Sequence, residues 1–186
     1  EELIAKEVQK ILKEKENYTK LSTGKDQKII VEYSSPNIAK PLGVHHLPTT
    51  ILGQSLANIL KEVGFKAITI NHLGDWGTQF GKLITAYKKW GDKATIEKNP
   101  IDELLKLYVK FHDEAEKDPT LEDEGRKEFK KFEEGDEKNR KLWQWFVDVS
   151  LIEINAVYDQ IGGIKFDYWQ GESFYEDKLQ ALLENC

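Results

Sequence analysis

The chain has 186 residues, with 27 Lys+Arg against 33 Asp+Glu, a formal charge of −6 and 39% hydrophobic residues. That length suits one domain, or one domain with an insertion, and supplies enough apolar material for a sizeable core. The charge excludes a protein that coats nucleic acid over its whole surface, although a local basic groove stays compatible with it. The single cysteine, Cys186, excludes an internal disulfide framework or a Cys-rich zinc site. No apolar run approaches the roughly 20 residues of a membrane-spanning helix, and no signal peptide is recognised, so a cytoplasmic location is expected. Glu1 opens the chain, Met is absent and Cys186 closes it just behind a helical pattern; this reads as an excised fragment.

Residues 1–16 carry Leu3, Ile4, Val8, Ile11 and Leu12 at helical spacing among Lys and Glu, which predicts an amphipathic helix. After a polar stretch broken at Gly24, residues 28–33 are β-branched and aromatic, and a buried strand is expected. Pro36, Pro41, Gly43 and Pro48 mark residues 34–48 as a loop. Thr49 or Thr50 is placed to cap the next helix, along which Ile51, Leu52, Leu56, Ile59, Leu60 and Val63 line one face, and Gly64 ends it. A strand over 65–71 completes a strand–helix–strand unit, for which a parallel pair and a right-handed crossover are expected. Ligand crevices in such sheets lie at the carboxyl ends of the strands, where the loops 34–48 and 71–79 emerge.

Beyond Gly81 the character becomes helical. Helices are expected over 101–112, 120–134 and 138–161, the last packing centrally through Leu142, Trp145, Phe146, Val149, Ile152 and Ala156. Residues 113–137 hold twelve acidic side chains against five basic ones, which reads as a solvated helical surface. A third strand over 165–170 and a last helix over 174–184 follow. The expected fold class is α/β: a partial Rossmann-type parallel sheet interrupted by a helical insertion. Its parts are a lead-in (1–27), a first sheet portion (28–100), an insertion (101–162), and a third strand with a final helix (163–186).

Two stretches carry chemistry. The first runs from Glu32 to His46, between a strand end and a helix start. Free N–H groups and the positive dipole end there favour an anion, and His45 and His46 can donate to phosphate oxygens. Glu32, Ser35 and Asn37 add a carboxylate, a hydroxyl and an amide, which suit a small amine-bearing ligand. Read from the residues alone, Ser-Pro-Asn is equally compatible with plain turn chemistry. The second stretch, residues 71–81, offers Gly74 and Gly77 for close approach, Asp75 to cap a helix starting near Trp76, and Trp76 and Phe80 to pack beneath the first loop; it braces a site more than it touches substrate. His72 and His112 are too far apart in sequence for a metal pair, Trp143, Trp145 and Trp169 suit core packing, and nothing marks Cys186 as a nucleophile.

Four segments matching in order and spacing resemble the arginyl-tRNA synthetases. They are Val31-Glu-Tyr-Ser-Ser-Pro-Asn-Ile-Ala-Lys-Pro41, Asn71-His-Leu-Gly-Asp-Trp-Gly-Thr-Gln-Phe-Gly81, Tyr108-Val-Lys-Phe-His-Asp-Glu-Ala115 and Gly171-Glu-Ser-Phe-Tyr175. The resemblance implies the first half of a class I Rossmann domain with a helical connective insertion. It implies ATP with Mg2+, L-arginine and tRNA(Arg) as the reactants of the intact enzyme, through an arginyl-adenylate. By position, Ser35, Pro36 and Asn37 fall at the arginine site, Glu32 near the amino or guanidinium end, Lys40 near the ATP phosphates, and His46 on the second histidine of the nucleotide signature.

That signature departs from the family's Pro-Phe-His-Val-Gly-His: here it reads Pro41-Leu-Gly-Val-His-His46. Gly43 has no side chain to hold phosphates, and His45 puts an imidazole where adenine lies against backbone. Loss of one such donor costs roughly 3–4 kcal/mol of barrier, so weakened adenylate formation is expected, unless His45 reaches the phosphates in its stead. The family's Lys-Met-Ser-Lys-Ser loop does not occur in this sequence, which implies little activity for this chain alone. A non-catalytic RNA- or partner-binding module is the alternative, no resident metal site is expected, and an open sheet edge predicts possible self-association.

Overall fold

The structure is a computed structural model that describes residues 2–184, with the side chains of residues 180 and 181 outside the description; Glu1, Asn185 and Cys186 also lie outside it. In chain order the elements are α1 (Glu2–Glu14), β1 (Lys28–Glu32), α2 (His46–Glu62), β2 (Lys66–Asn71), α3 (Thr78–Trp90), α4 (Lys93–Lys98), α5 (Pro100–Lys117), α6 (Thr120–Glu133), α7 (Glu137–Gln160), β3 (Tyr168–Trp169) and α8 (Glu176–Glu184). Short 3-10 turns follow α1 and precede α8. The strands form one parallel sheet in the order β1-β2-β3, with Lys28 opposite Lys66 and Ile70 opposite Tyr168. Strands two and three are thus neighbours although residues 72–167 intervene, as the predicted helical insertion requires.

Helix α2 differs from expectation at its start and in its orientation. It begins at His46, and Pro48 sits inside the first turn, where its missing N–H costs nothing. Thr49 and Thr50 therefore do not cap the helix; their hydroxyls donate back to the His46 carbonyl at 2.9 and 2.7 Å. The apolar stripe of Ile51, Leu52, Leu56 and Ile59 is exposed, and the buried side is Thr50, Gly53 and Ala57. Closeness to the sheet decides this: a Cβ on Gly53 would lie 2.2 Å from Cγ of Tyr33, so only small residues fit between helix and strand. Helix α1 is also more exposed than its stripe suggests: Leu3 is 83% exposed, and the helix has no buried residue.

Most of the large, fully buried side chains lie in the helical part. Phe80, Ile84, Leu104, Phe111, Phe132, Phe146 and Ile154 are buried there. Helices α3 and α6 cross at Gly81 and Gly125, where a Cβ on Gly81 would stand 2.3 Å from the Gly125 carbonyl oxygen. Helix α7 is central as predicted, although its Ile152 and Ala156 face solvent. The acidic stretch forms a solvated surface laced with ion pairs, among them Lys82–Glu122 and Lys89–Glu124 at 2.9 Å. Glu128 is its most enclosed member. Burial alone would raise its carboxyl pKa, but hydrogen bonds from Lys131, Lys88 and Asn139 pull it down to about 2. Strand β3 is only two residues long. Among the described residues no helix is long and apolar enough to cross a membrane.

Candidate active site

The loop after β1 turns sharply. Ser34, Ser35 and Ala39 all have positive φ, at 75°, 51° and 60°. Such conformations cost an L-residue energy and persist only where the surroundings impose them. Here the surroundings are a chain of buried polar groups. Thr50 Oγ1 lies 2.8 Å from Ser34 Oγ, which lies 2.6 Å from the Tyr158 hydroxyl. Asn71 donates through Nδ2 to that hydroxyl at 3.0 Å and accepts the Ser35 N–H on Oδ1 at 3.1 Å. Ser150 Oγ accepts the Ala39 N–H at 3.2 Å. Ser34, Thr50, Asn71, Ser150 and Tyr158 are all buried. The sequence marked none of them as a site residue; the signal present was a set of hydroxyls and amides on otherwise apolar faces.

The second loop holds the first one down. Gly74 donates its N–H to the Pro36 carbonyl at 3.0 Å and accepts the Ile38 N–H at 3.1 Å, forming a parallel bridge opposite Asn37. A Cβ on Gly74 would lie 2.0 Å from Asn37 Oδ1, so a side chain there would displace the Asn37 amide from its present position. Asp75 does not cap α3, whose N-cap is Gly77. Its buried carboxylate instead accepts the N–H and hydroxyl of Ser173 at 2.8 and 2.6 Å, and Trp143 donates its indole N–H to the Asp75 carbonyl at 2.7 Å. Phe80 packs near the first loop as expected, bordering a small cavity with Ile38, Ala39 and Lys40. Trp76 turns away from it to stack on Phe132, with ring centroids 4.4 Å apart, because α6 and α7 offer an aromatic surface that the polar loop does not.

Glu32, Ser35 and Asn37 remain exposed at the carboxyl ends of the strands, while Pro36 is buried. Glu32 and Ser35 border a cavity of about 470 Å³ with Thr49, Leu52 and Leu56. Asn37 and His46 are not part of that lining, so this cavity does not bring Ser35, Asn37 and His46 together. A second cavity of about 550 Å³ lies at the ends of β2 and β3, lined by His72, Trp76, Gln79, Glu172 and Tyr175. Lys40 sits with its ammonium over the Tyr108 ring, 5.5 Å from the centroid.

The two histidines stand at the start of α2, with ring centroids 4.0 Å apart. His46 accepts the Gly43 N–H on Nδ1 at 3.0 Å, which places the proton of its neutral form on Nε2. Burial, and secondly the neighbouring His45, hold its pKa below the usual histidine value. His45 folds over Gly43: a Cβ there would lie 2.5 Å from His45 Cε1 and 2.7 Å from Nδ1. The imidazole thus fills the space in which a side chain at residue 43 would begin. Among the described residues no group of three or more His, Cys, Asp or Glu side chains converges as a metal cage would.

Comparison with known proteins bears on this geometry. Residues 7–186 match the family described as tRNA synthetases class I (R), catalytic domain. An arginine–tRNA ligase of Clostridioides difficile (strain 630) is 56% identical over 177 residues, covering 95% of this chain. One from Lactococcus lactis subsp. lactis is 52% identical over 178 residues, covering 96%. In both cases the match takes up 31% of the relative's length, so the chain spans about a third of the curated relatives it matches. The crystal structure of arginyl-tRNA synthetase from Plasmodium falciparum superposes with a TM-score of 0.68 at 29% identity, over 88% of this chain and 27% of that one. The Thermus thermophilus arginyl-tRNA synthetase, at 23% identity and a TM-score of 0.64 over 89% of this chain and 28% of that one, shares the fold. The chain therefore has the fold of a class I, Rossmann-like synthetase catalytic domain, and it belongs to the arginine family of class I tRNA synthetases.

Proposed function

We propose that this chain carries strand ends at which an arginine–tRNA ligase joins ATP and L-arginine. In that reaction the arginine carboxylate attacks the α-phosphate, pyrophosphate leaves, and the arginyl group of the adenylate passes to the terminal adenosine of tRNA(Arg). The observation that carries this reading is the contrast within one loop. Buried partners hold the Ser34 hydroxyl (Tyr158) and the N–H groups of Ser35 and Ala39 (Asn71 and Ser150), while the side chains of Ser35 and Asn37 stay exposed. A loop held in left-handed conformations with free polar side chains at parallel strand ends suits the orientation of a small polar ligand.

Ser35 and Asn37 are assigned to the arginine substrate, with Glu32 as the carboxylate facing its cationic groups and Pro36 as the buried anchor between them. His46, kept neutral with its proton on Nε2, is a donor for the phosphates at the start of α2. Lys40 supplies a cation beside the same loop. Magnesium enters with the nucleotide phosphates, whose charge it neutralises. Gly43 and His45 set the space left for adenine.

Arginine-dependent pyrophosphate exchange with tRNA(Arg) tests the reading. The protein at its full length exchanges with arginine and with no other amino acid; exchange specific for a different amino acid, or binding of tRNA(Arg) with no exchange at all, refutes it. The 186-residue chain by itself gives at most weak exchange. Replacing His45→Gly together with Gly43→His raises the full-length rate by about 100-fold, the worth of one restored donor. In the single variant His45→Gly, a rise identifies the imidazole as an obstruction and a fall makes it the phosphate donor.

A further inference from the structure

We propose that helix α7, which belongs to the helical insertion, acts as a splint for the substrate loop through two positioning residues, Ser150 and Tyr158. Neither belongs to the strand–loop–helix segment that carries the site, and neither is exposed to a ligand. Ser150 is 0% and Tyr158 1% exposed. They lie eight residues apart on one helix, about 2.2 turns, so their directions differ by about 80° and both fall within one broad face. Their two hydroxyls take hold of the two ends of the loop's strained segment, residues 34 to 39. Tyr158 engages Ser34 at 2.6 Å, and Ser150 receives the Ala39 N–H at 3.2 Å. These are two of the three loop residues with positive φ.

The third, Ser35, is held indirectly. Asn71 at the end of β2 accepts its N–H and donates to the same Tyr158 hydroxyl, which fixes the orientation of the amide. One phenolic group therefore anchors the loop directly and also through the neighbouring strand. The Tyr158 ring is packed against Phe166 and Trp169, at centroid separations of 5.6 and 6.1 Å, so its hydroxyl has little freedom to follow a displaced loop. A strained backbone with low propensity for its own conformation needs such external support, and a fully satisfied buried network supplies it with a single geometry. The position of α7 is set in turn by the insertion, where its Phe146 and Asn139 are buried. Displacement of the insertion would reach Ser35 and Asn37 through these two hydroxyls.

The role of Ser35 and Asn37 toward arginine rests on the function proposed above; the splint itself is tested without it. Amide hydrogen exchange, read by NMR on the 186-residue chain, reports on the loop residue by residue. Tyr158→Phe speeds exchange at Ser35 about tenfold, the worth of one ordinary hydrogen bond, and leaves Ala39 within about twofold. Ser150→Ala does the converse. Should Tyr158→Phe fold poorly, Ser34→Ala breaks the direct link from the loop side while Asn71 keeps its hold on the Tyr158 hydroxyl, and it speeds exchange at Ser35 by less, about threefold, again without moving Ala39. Equal acceleration across the loop and the β1–β2 amides, or none at Ser35 and Ala39, overturns the proposal. In the full-length protein Tyr158→Phe raises KM for arginine about tenfold with kcat less affected. Selective loop exchange in a protein that does not activate arginine would leave the splint standing and remove the proposed function.

Discussion

The loops after β1 and β2 leave adjacent strand ends and are tied to each other, yet they use their polar residues in opposite ways. In the second loop the carboxylate of Asp75 is consumed by Ser173, and the ring nitrogen Nδ1 of His72 is paired with the Gln170 carbonyl at 2.8 Å. In the first, the support comes from outside the loop's free side chains, and Glu32, Ser35 and Asn37 are left facing solvent. A polar motif at a strand end thus becomes a brace or a contact surface according to whether a neighbouring element offers it a partner. Here the 3-10 turn at Glu172–Tyr175 lies against the second loop and takes up its hydrogen bonds.

The largest effect expected from this contrast is on stability. Asp75→Ala leaves the Ser173 N–H and hydroxyl without their charged acceptor and costs about 3 kcal/mol, measured by urea unfolding. A loss below about 1 kcal/mol would mean that the second loop is not a clamp. The counterpart in the first loop moves binding and not stability. Ser35→Ala and Asn37→Ala stay within about 0.5 kcal/mol of the parent, as exposed substitutions do, while weakening arginine binding by about tenfold in calorimetry of the full-length protein. Destabilisation by either on the scale of Asp75→Ala would erase the distinction between the loops.

The smallest effect concerns acid. Glu128 has its pKa lowered to about 2 from an ordinary 4.5. Because the folded state holds the group ionised, the unfolded chain binds more protons below pH 4.5. The stability contribution is complete above that value and is lost as pH falls toward 2. Glu128→Gln therefore flattens the fall in stability over that window, and an unchanged acid-unfolding profile would show that Lys88, Lys131 and Asn139 do not hold the charge.

The strand–helix–strand unit, the helical insertion and the third strand were all legible from period and composition, because buried β-branched runs and helical stripes leave local signatures. The site was legible as a region, from Ser-Pro-Asn and the paired histidines at a strand end. The orientation of α2 was not. Its stripe of Ile51, Leu52, Leu56 and Ile59 marks an apolar face without saying which way it points, and contact with Tyr33 reserves the sheet side for Gly53. The role of Asp75 was misread for a related reason: Asp before a helix is a common cap, but a turn about a hundred residues later offers it two donors.

By itself the amino-acid sequence determined the fold class, the two strand-end loops and, through the four matching segments, the synthetase family, since each depends on residue types at short and fixed spacing. Only the tertiary structure decided which polar groups brace and which remain free. Ser34 meets Tyr158 across 124 residues of chain, Ala39 meets Ser150 across 111 and Asn71 meets Tyr158 across 87, and a hydrogen bond between buried groups exists only once folding has brought both partners out of water to the same place.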